Sequence, residues 1–418
     1  MAGPVRFVHA ADLHLDAPFK GVDASDPRVR DALAASTYRA LDRLVEICLE
    51  HEAHFLVLAG DVYNQAEKQL RAEFAFRAAC ERLAEAGIEV FVARGNHDPA
   101  NGFSAGLAMP ETVHFFSERE VERIPFVQDG QELCALYGRS FRTPAETENL
   151  ALGYKRSKGD RLAIGVLHAN AGSHAGYEPY APCTLDDLRS AHMDYWALGH
   201  IHKPEVLETS PEIAYAGCTQ GLDPSESGLR GCRVVTLGPD GSTSIFVPTS
   251  AVVWERATID ATELETIDDV LGALESAVAR IALAAEGLPV VVRFELEGRS
   301  GVHAPLARPG ALADIRAELA ASSLGCEPWV WVDRITDRTR SVLDLDAVRA
   351  GQDLAGDLVR VADALAGDGA GLAEFFAASA QPVLARLDAR DVPELDAASL
   401  LERARDLALD RLLAGEER

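Results

Sequence analysis

The sequence has little of what an oxidising compartment or a membrane would require. Its seven cysteines are scattered through 418 residues without a C-x-x-C pair, and their odd count argues against a zinc ribbon and against a disulfide framework. No apolar stretch approaches the roughly 18 residues that a membrane span needs. The N-terminal stretch MAGPVRFVHAADLHL lacks the basic region of a signal peptide. We therefore expect a cytoplasmic protein with no membrane segment.

Basic residues are scarce relative to acidic ones. The chain has 40 lysines and arginines against 66 aspartates and glutamates, which gives a formal net charge of −26. Proteins that bind nucleic acid unaided usually carry a basic surface that releases counterions from phosphates. The composition therefore argues against a stand-alone DNA-binding protein. It does not argue against a site in which bound divalent ions contact phosphate, because such ions dominate the local field.

Strand and helix patterns alternate over the first 250 residues. The predicted elements are strands at 5–11, 54–59, 88–94, 132–138, 161–169, 194–200 and 232–238 and helices at 28–50 and 67–86. Strands that alternate with helices at this spacing indicate βαβ units and a mainly parallel sheet. We expect one large α/β domain over residues 1–250.

The composition changes near residue 250. A compact β-α-β-α-β unit is predicted over 251–340, with helices at 267–286 and 309–322 and strands at 288–298 and 327–336 in addition to its first strand. Beyond it the chain is rich in Ala, Leu and Asp. Helical runs at 353–366, 371–387 and 395–414, without a strand pattern, predict a tail over 341–418 that is helical or partly disordered.

Polar side chains follow five strands of the first domain, at the point where each strand ends. They are Asp12, His14, Asp61, Asn96, His97, Asp98, His168, His200 and His202. Ligands gather at the carboxyl ends of strands in open parallel sheets, because loops leave the sheet there and side chains converge. We expect these residues to form one site.

The types of residue in this set indicate metal binding. Asp12 and His14 are two positions apart, as are His200 and His202, so each pair faces one side of an extended chain. Carboxylate, amide and imidazole ligands without thiolate suit Mn²⁺, Fe or Zn²⁺. Seven ligands from these nine residues, with at least one carboxylate able to bridge, predict two ions about 4 Å apart, the spacing of two-metal phosphoester chemistry.

Each motif alone has a simpler interpretation. A lone D-x-H is usually a cap or a surface pair, and GD or GNHD alone is more often a turn, where Gly, Asn and Asp are favoured. Five such motifs, each directly after an apolar strand, favour a joint site.

The ordered motifs D-x-H, GD, GNHD, H and GH-x-H resemble the calcineurin-like metallophosphoesterase superfamily, over most of residues 6–203. Within it, DLHLDAPF, YAPCTLDDL and AGCTQGLDPSESGLRGC are similar to the DNA repair exonuclease branch, which includes the SbcD nuclease and YhaO-like proteins. The resemblance implies an α/β fold: a β-sandwich flanked by helices, a small α+β capping domain and a helical C-terminal tail.

The resemblance also implies two metal sites that share one ligand. It assigns one ion to Asp12, His14, Asp61 and His202. It assigns the second ion to Asp61, Asn96, His168 and His200, so that Asp61 bridges the two.

The loop ARGNHDP would then carry the remaining roles. His97 would stand over the scissile phosphate and protonate or stabilise the leaving oxygen, and Asp98 would orient His97. Gly95 would let the backbone approach the site. Arg94 is a candidate phosphate contact, with a structural salt bridge as the alternative.

These assignments predict a two-metal phosphodiesterase that acts on DNA ends, with water as the nucleophile and no covalent enzyme intermediate. The family's preferred ion is Mn²⁺, and the ligands also permit Fe or Zn²⁺. The balance of exonuclease and endonuclease activity stays open. Nucleases of this branch work with a coiled-coil ATPase, SbcC-like or YhaN-like, and a homodimer is compatible with the resemblance.

The C-terminal run 395–414 offers a docking element for that ATPase. It places Leu401, Ala404, Leu407 and Leu409 largely along one apolar face, together with Leu395 and Leu412. The alternative is a helix that packs back on its own domain.

Two other functions compete with this interpretation. The first is a small-molecule phosphodiesterase or nucleotide phosphatase of the same fold, since fold and metals do not set the substrate. The acidic composition favours it, whereas the capping domain and the tail do not. The second is a scaffold subunit with little chemistry of its own, against which the intact ligand set argues.

Overall fold

The structure is a computed structural model that describes residues 3–19, 22, 25–64, 70–102, 106–174, 176–323, 327–384 and 396–413. The chain divides into two compact units. The first unit comprises Met1–Arg256, Ala282–Val292 and Glu327–Asp333, and the second comprises Ala257–Ile281, Arg293–Cys326 and Arg334–Arg418.

The strands and helices of the described chain follow the predicted alternation. The strands are β1 (Val5–Ala10), β2 (Phe55–Ala59), β3 (Glu89–Ala93), β4 (Val113–Phe115), β5 (Glu122–Gln128), β6 (Gln131–Gly138), β7 (Ala163–His168), β8 (Tyr195–Gly199), β9 (Glu205–Thr209), β10 (Glu212–Tyr215), β11 (Gly231–Gly238), β12 (Gly241–Pro248), β13 (Val253–Asp260), β14 (Val290–Arg299) and β15 (Val330–Arg340). The helices are α1 (Pro27–Glu50), α2 (Leu70–Glu85), α3 (Leu185–Ser190), α4 (Ile267–Ala284), α5 (His303–Leu306), α6 (Ala311–Ser323), α7 (Leu345–Ala350), α8 (Leu354–Gly367), α9 (Gly369–Leu384) and α10 (Ala397–Leu413).

The first unit contains two six-stranded sheets instead of the single sheet that the alternation suggested. Their strand orders are β12-β11-β1-β2-β3-β4 and β5-β6-β7-β8-β10-β9. Four strands are parallel in each sheet, β1 to β4 in the first and β6, β7, β8 and β10 in the second. The prediction of mainly parallel pairing is confirmed for these strands.

The antiparallel edge strands β5, β9 and β12 were not predicted from the sequence, and each pairs in a hairpin with its neighbour in the chain. Asp129 and Gly130 form the two-residue turn between β5 and β6, with φ of 52° and 75°, as expected for the Asp-Gly turns that suit hairpins. A second hairpin joins β11 to β12. Hairpins of this kind change the sheet from purely parallel to mixed.

The two sheets pack face to face around an aromatic core. Phe7 and Phe55 stack with ring centroids 5.1 Å apart, and Phe7 meets Tyr195 of the second sheet edge to face at 5.3 Å. The opposite side of the first sheet packs against α1 and α2 through buried residues such as Leu44 and Phe76. Burial of each such side chain contributes about 1.5–3 kcal/mol. The expected β-sandwich flanked by helices is confirmed.

Beyond the first unit's sheets, strands β13, β14 and β15 form a three-stranded sheet in the order β13-β14-β15. The helices predicted at 353–366, 371–387 and 395–414 correspond to α8, α9 and α10. Residues 385–387, 395 and 414 of these predictions lie outside the described residues, as do residues 67–69 of the helix predicted at 67–86. Leu409 of α10 is fully buried against Val359 of α8, whereas Leu407 is 53% exposed. Part of the apolar face of α10 therefore packs within its own unit.

Helix α7 was not predicted from the sequence. Among the described helices, none combines the length and the apolar character needed to cross a bilayer.

Candidate metal centre and active site

The structure brings the predicted metal ligands together at the carboxyl ends of the parallel strands of both sheets. Loops after β1, β2 and β3 meet the end of β7 and the loop after β8. Two groups show the convergence, because within each the ligand atoms all lie within 4.8 Å of one another. The groups are Asp12, His14 and His202, and Asp12, Asp61 and His168.

The backbone is held in an uncommon conformation at four of these residues. Asp12, His14, Asp61 and His200 have φ of 51°, 42°, 51° and 96°. The left-handed region is rarely adopted by residues with a Cβ, and such strain persists where the surroundings over-determine the conformation, often at functional sites. The positive φ values therefore mark the loops that aim these side chains at one point.

Two glycines allow the loops to approach closely. A Cβ on Gly95 would lie 2.2 Å from Asp61 Oδ1, and one on Gly60, whose φ is +104°, would lie 2.2 Å from His168 Nδ1. No side chain fits at those distances, so glycine is required at both positions. This agrees with the expectation that Gly95 lets the GNHD loop approach the site.

Asp61 lies between proposed ligands of the two predicted ions. Its Oδ1 accepts the backbone N–H of His97 at 2.8 Å. Its Oδ2 is 3.8 Å from His14 Nε2 and 3.4 Å from His168 Nε2. One carboxylate oxygen therefore faces ligands of both predicted ions.

His168 and Asn96 form one side of the centre. His168 Nδ1 lies 2.9 Å from the carbonyl of Ala59 and donates to it, so Nε2 presents its lone pair. That Nε2 lies 2.9 Å from Asn96 Oδ1, which brings an imidazole nitrogen and an amide oxygen to one position. Burial lowers the pKa of His168 to about 3, so the ring is neutral, as a metal ligand must be.

His200 is fixed through both its backbone and its ring. Its N–H donates to the carboxylate of Asp12, 3.0 Å from Oδ2, and its Nε2 donates to the carbonyl of Glu178 at 2.8 Å. Nδ1 is then the nitrogen with a lone pair. Burial, followed by the nearby His168, lowers the pKa of His200 to about 4.

His202 is held by a residue that the sequence analysis did not single out. Glu226 Oε1 lies 2.5 Å from His202 Nδ1, and Glu226 Oε2 accepts the N–H of Leu222 at 2.7 Å. Nε2 of His202 faces Nε2 of His14 at 3.1 Å. Glu226 belongs to the stretch AGCTQGLDPSESGLRGC, whose resemblance to the nuclease branch was the only signal that could have pointed to it.

The carboxylates of the centre are buried without a basic side chain to neutralise them fully. Asp12 and Asp61 are 1% and 2% exposed. Burial is the largest cause that raises the pKa of both, to about 8 for Asp12. Burial of His202 opposes its protonation, but the hydrogen bond to Glu226 and the charge of Asp12 raise its pKa to about 9. A divalent cation bound here would displace the protons of Asp12 and His202, because metal ligands must be deprotonated, and His168 and His200 already offer neutral rings.

His97 is exposed, and a nitrogen of its ring lies within 4.8 Å of ligand atoms of His14 and Asp61. Its ring lies edge to face with His14, with centroids 4.8 Å apart, and its Nδ1 is 3.2 Å from Asn64 Oδ1. An imidazole beside the ligands but open to solvent is placed to meet a substrate. Asn64, another residue that the sequence analysis missed, sets the orientation of this ring.

Asp98 differs from its expected role of orienting His97. Its Oδ1 accepts the N–H of Gly95 at 2.7 Å, and its Oδ2 accepts the N–H of Val62 at 2.8 Å. Both oxygens are thus engaged with backbone groups. The carboxylate joins the loop after β2 to the loop after β3, which positions Asp61 and His97 indirectly.

Arg94, the candidate phosphate contact, packs on an aromatic ring. The guanidinium of Arg94 lies over the ring of Phe115, 4.6 Å from the centroid. The backbone N–H of Arg94 donates to Ser140 Oγ at 3.1 Å. Stacking on an aromatic ring is a packing role for arginine.

Comparison with known proteins gives two matches to families. The sequence profile of the calcineurin-like phosphoesterases matches residues 5–204, and that of the metallophosphoesterase YhaO middle domain matches residues 254–340. The uncharacterized metallophosphoesterase YhaO of Bacillus subtilis is 34% identical over 346 residues, which cover 82% of this chain and 84% of that protein.

More distant relatives include archaeal proteins described as DNA double-strand break repair protein Mre11. That of Thermoplasma acidophilum is 28% identical over 44% of this chain and 50% of its own length. That of Haloferax volcanii is 28% identical over 56% of this chain and 50% of its own length. A dimetal phosphatase from Danio rerio aligns with 59% of this chain and 99% of its own at 11% identity, with a TM-score of 0.35, which is too low to support an argument.

Proposed function

This chain belongs to the calcineurin-like phosphoesterase family, and on that premise we propose that it is a two-metal phosphodiesterase that acts on DNA. Membership makes it a metal-dependent phosphoesterase. The observation that carries the proposal is the position of Asp61, whose Oδ2 faces His14 Nε2 at 3.8 Å and His168 Nε2 at 3.4 Å. A carboxylate between two sets of ligands is the arrangement that a bridged pair of ions requires.

The two ion sites would divide the ligands as the family resemblance implies. Asp12, His14 and His202 supply one site, and Asn96, His168 and His200 supply the other, with Asp61 in both. When bound, a pair of divalent ions supplies Lewis-acid stabilisation of phosphate oxygens and a nucleophile generated from water at neutral pH. Mn²⁺ is the ion we propose, and these ligands also accept Fe or Zn²⁺.

The residues of this chain would contribute orientation and a proton. Glu226 and the carbonyl of Glu178 hold the rings of His202 and His200. His97, exposed beside His14 and oriented by Asn64, would donate a proton or a hydrogen bond to the leaving oxygen. Asp98 would fix the loops after β2 and β3 relative to each other through its hydrogen bonds to the backbone.

The proposed substrate is DNA, and the proposed activity is exonuclease, with endonuclease activity as the second form, in repair or end processing. Two relatives are named for repair of DNA double-strand breaks, which supports this choice. The net charge of −26 favours the alternative, a small-molecule phosphodiesterase or nucleotide phosphatase, because an acidic surface repels a polyanion.

One experiment separates the two. The purified chain is incubated with Mn²⁺, Fe²⁺ or Zn²⁺ and with end-labelled linear duplex DNA, bis-p-nitrophenyl phosphate and cyclic AMP in parallel. Shortening of the labelled strand by wild type but not by Asp61→Asn is the expected result. Hydrolysis of cyclic AMP with intact DNA would assign the protein to the small-molecule class.

We also propose a coiled-coil ATPase, SbcC-like or YhaN-like, as the partner. Helices α9 and α10 enclose an apolar groove of about 220 Å³, lined by Leu372, Phe375, Phe376, Ala380, Leu400 and Leu401. Phe375 is 49% exposed there. A groove of this kind suits an amphipathic helix of a partner.

A cytoplasmic location fits the described cysteines, which are free thiols.

A further inference from the structure

The second unit carries a set of arginines that the metal centre does not use. Both β14 and β15 begin with buried residues, and in the middle of each strand buried side chains alternate with accessible ones, as expected where one face is solvated. The accessible positions carry five arginines: Arg293, Arg299, Arg334, Arg338 and Arg340. Glu295, Glu297 and Asp337 are the acidic residues at the accessible positions of the two strands. This face is therefore basic in a chain whose net charge is −26.

Helix α10 turns part of this face into a cleft. Arg299, Arg338, Arg340 and Arg403 line a cavity of about 360 Å³ together with Ser399. We call these four arginines the arginine cleft. Glu297 also lines the cavity, so guanidinium groups outnumber carboxylates at its wall.

A buried carboxylate holds the cleft in shape without neutralising it. Asp406 of α10 is 1% exposed and binds Arg299 at 2.7 Å and Arg340 at 2.9 Å. Arg405 binds the same carboxylate at 3.0 Å. The two cleft arginines at this carboxylate, Arg299 and Arg340, outnumber it, and each guanidinium has five N–H donors.

The other two arginines of the cleft point toward solvent. Arg338 is 40% exposed and pairs with Glu295 at 3.1 Å, a surface ion pair of small energy that an incoming anion can replace. Arg403, one helical turn from Ser399, is exposed. The cleft therefore combines two fixed guanidinium groups with two accessible ones.

We propose that the arginine cleft binds phosphate groups of the DNA backbone. This proposal rests on the proposed function. Guanidinium forks match phosphate oxygens in bidentate geometry, and a chain of this acidity needs a local basic surface to hold a polyanion. Contacts of this kind position a nucleic acid without reading its sequence.

The test uses the full chain with Arg338→Gln and Arg403→Gln combined, since Arg299 and Arg340 also hold Asp406. The control combines Arg77→Gln and Arg82→Gln on α2, which remove the same charge from arginines of 35% and 43% exposure. Binding of a fluorescently labelled duplex is followed by anisotropy from 50 to 200 mM KCl. The thermal unfolding midpoint and the metal content of both variants are measured to verify that they are folded.

The cleft variant is expected to bind DNA roughly 10-fold more weakly. The slope of log K against the logarithm of the KCl concentration should become shallower by about 2, because two phosphate contacts are lost. The control should bind as wild type does. If wild type cleaves DNA and the cleft variant binds as tightly as the control, the cleft is not a phosphate site and the proposed function stands.

Two further outcomes would overturn the proposal. If wild type neither binds nor cleaves DNA, the proposed function fails and the cleft proposal fails with it. The second outcome concerns competition by polyglutamate. If polyglutamate displaces labelled DNA from wild type as well as an equal charge of unlabelled DNA does, but no longer displaces it from the cleft variant, the cleft recognises carboxylates of a protein partner.

Discussion

Glu226 and His202 form a carboxylate–imidazole pair in which Oε1 lies 2.5 Å from Nδ1. Because Nδ1 is bound to the carboxylate, Nε2 faces His14 Nε2 at 3.1 Å. A second pair of the same chemistry, His174 with Glu205 at 3.0 Å, involves no proposed ligand. The two pairs differ in whether the imidazole belongs to the metal centre, so they can be compared directly.

Glu226→Gln should weaken metal binding by about 10- to 100-fold, the usual effect of removing an outer partner of a ligating histidine. The affinity is measured by competition with a chelating dye, which does not depend on turnover. Glu205→Gln is the matched control and should bind metal as wild type does. Equal affinities for all three proteins would show that Glu226 does not position a ligand.

Asp61→Asn should remove both metals and the activity together, because Oδ2 faces ligands of both sites. Elemental analysis after dialysis gives the metal content per chain. Retention of two equivalents with near-normal turnover would contradict the bridging assignment.

His97→Ala should leave the metal content unchanged while turnover of DNA falls by roughly 10²- to 10⁴-fold, the usual contribution of general acid–base catalysis. Elemental analysis and initial rates are measured on the same sample. Loss of one metal equivalent would mean that His97 is a ligand.

Asn64→Ala provides a graded companion to that variant. It removes the partner of His97 Nδ1 but leaves the imidazole, so turnover should fall less than in His97→Ala. An equal or larger fall would assign Asn64 a role of its own.

The stability of the second unit should depend on pH through Asp406. Burial raises the pKa of this carboxyl, but hydrogen bonds from Arg299 and Arg405 outweigh burial and lower it. A folded pKa below the unfolded value of about 3.9 means that the stabilisation is complete above that value. It is lost as the pH falls through the folded pKa.

Asp406→Asn should therefore reduce the free energy of unfolding by about 3 kcal/mol at pH 7, and the difference from wild type should shrink at pH 3. Urea unfolding at the two pH values tests both parts. Asp357→Asn, which removes an exposed ion pair on α8, is the control and should change stability little. A constant difference between wild type and Asp406→Asn at both pH values would contradict the assignment to the ionised carboxylate.

The groove between α9 and α10 should be required for association with the ATPase. Phe375→Ser changes a groove residue that is 49% exposed, whereas Val361→Ser changes a residue of α8 that is 58% exposed and lies outside the groove lining. Co-purification of the tagged ATPase should fall strongly for the first variant only. Equal recovery of the partner with both variants would place the docking surface elsewhere.

Much of the candidate metal centre could be predicted from the sequence, because its residues follow apolar strands directly. Strands of one parallel sheet end at one edge, so Asp12, Asp61 and Asn96 had to lie near each other once β1, β2 and β3 paired. His168 and His200 followed the same rule in the second sheet. Local periodicity was enough to locate each of these strand ends.

Only the tertiary structure decided which residues hold those ligands in place. Glu226 is 24 residues from His202, and Asn64 is 33 residues from His97, and no local pattern sets the path of the loops between them. Asp98 was expected to orient His97 but binds the backbone of Gly95 and Val62, because both of its oxygens are buried among N–H donors. The arginine cleft likewise unites Arg299, Arg340 and Arg403, which are distant in sequence. Such contacts depend on how whole elements pack, which residue propensities do not encode.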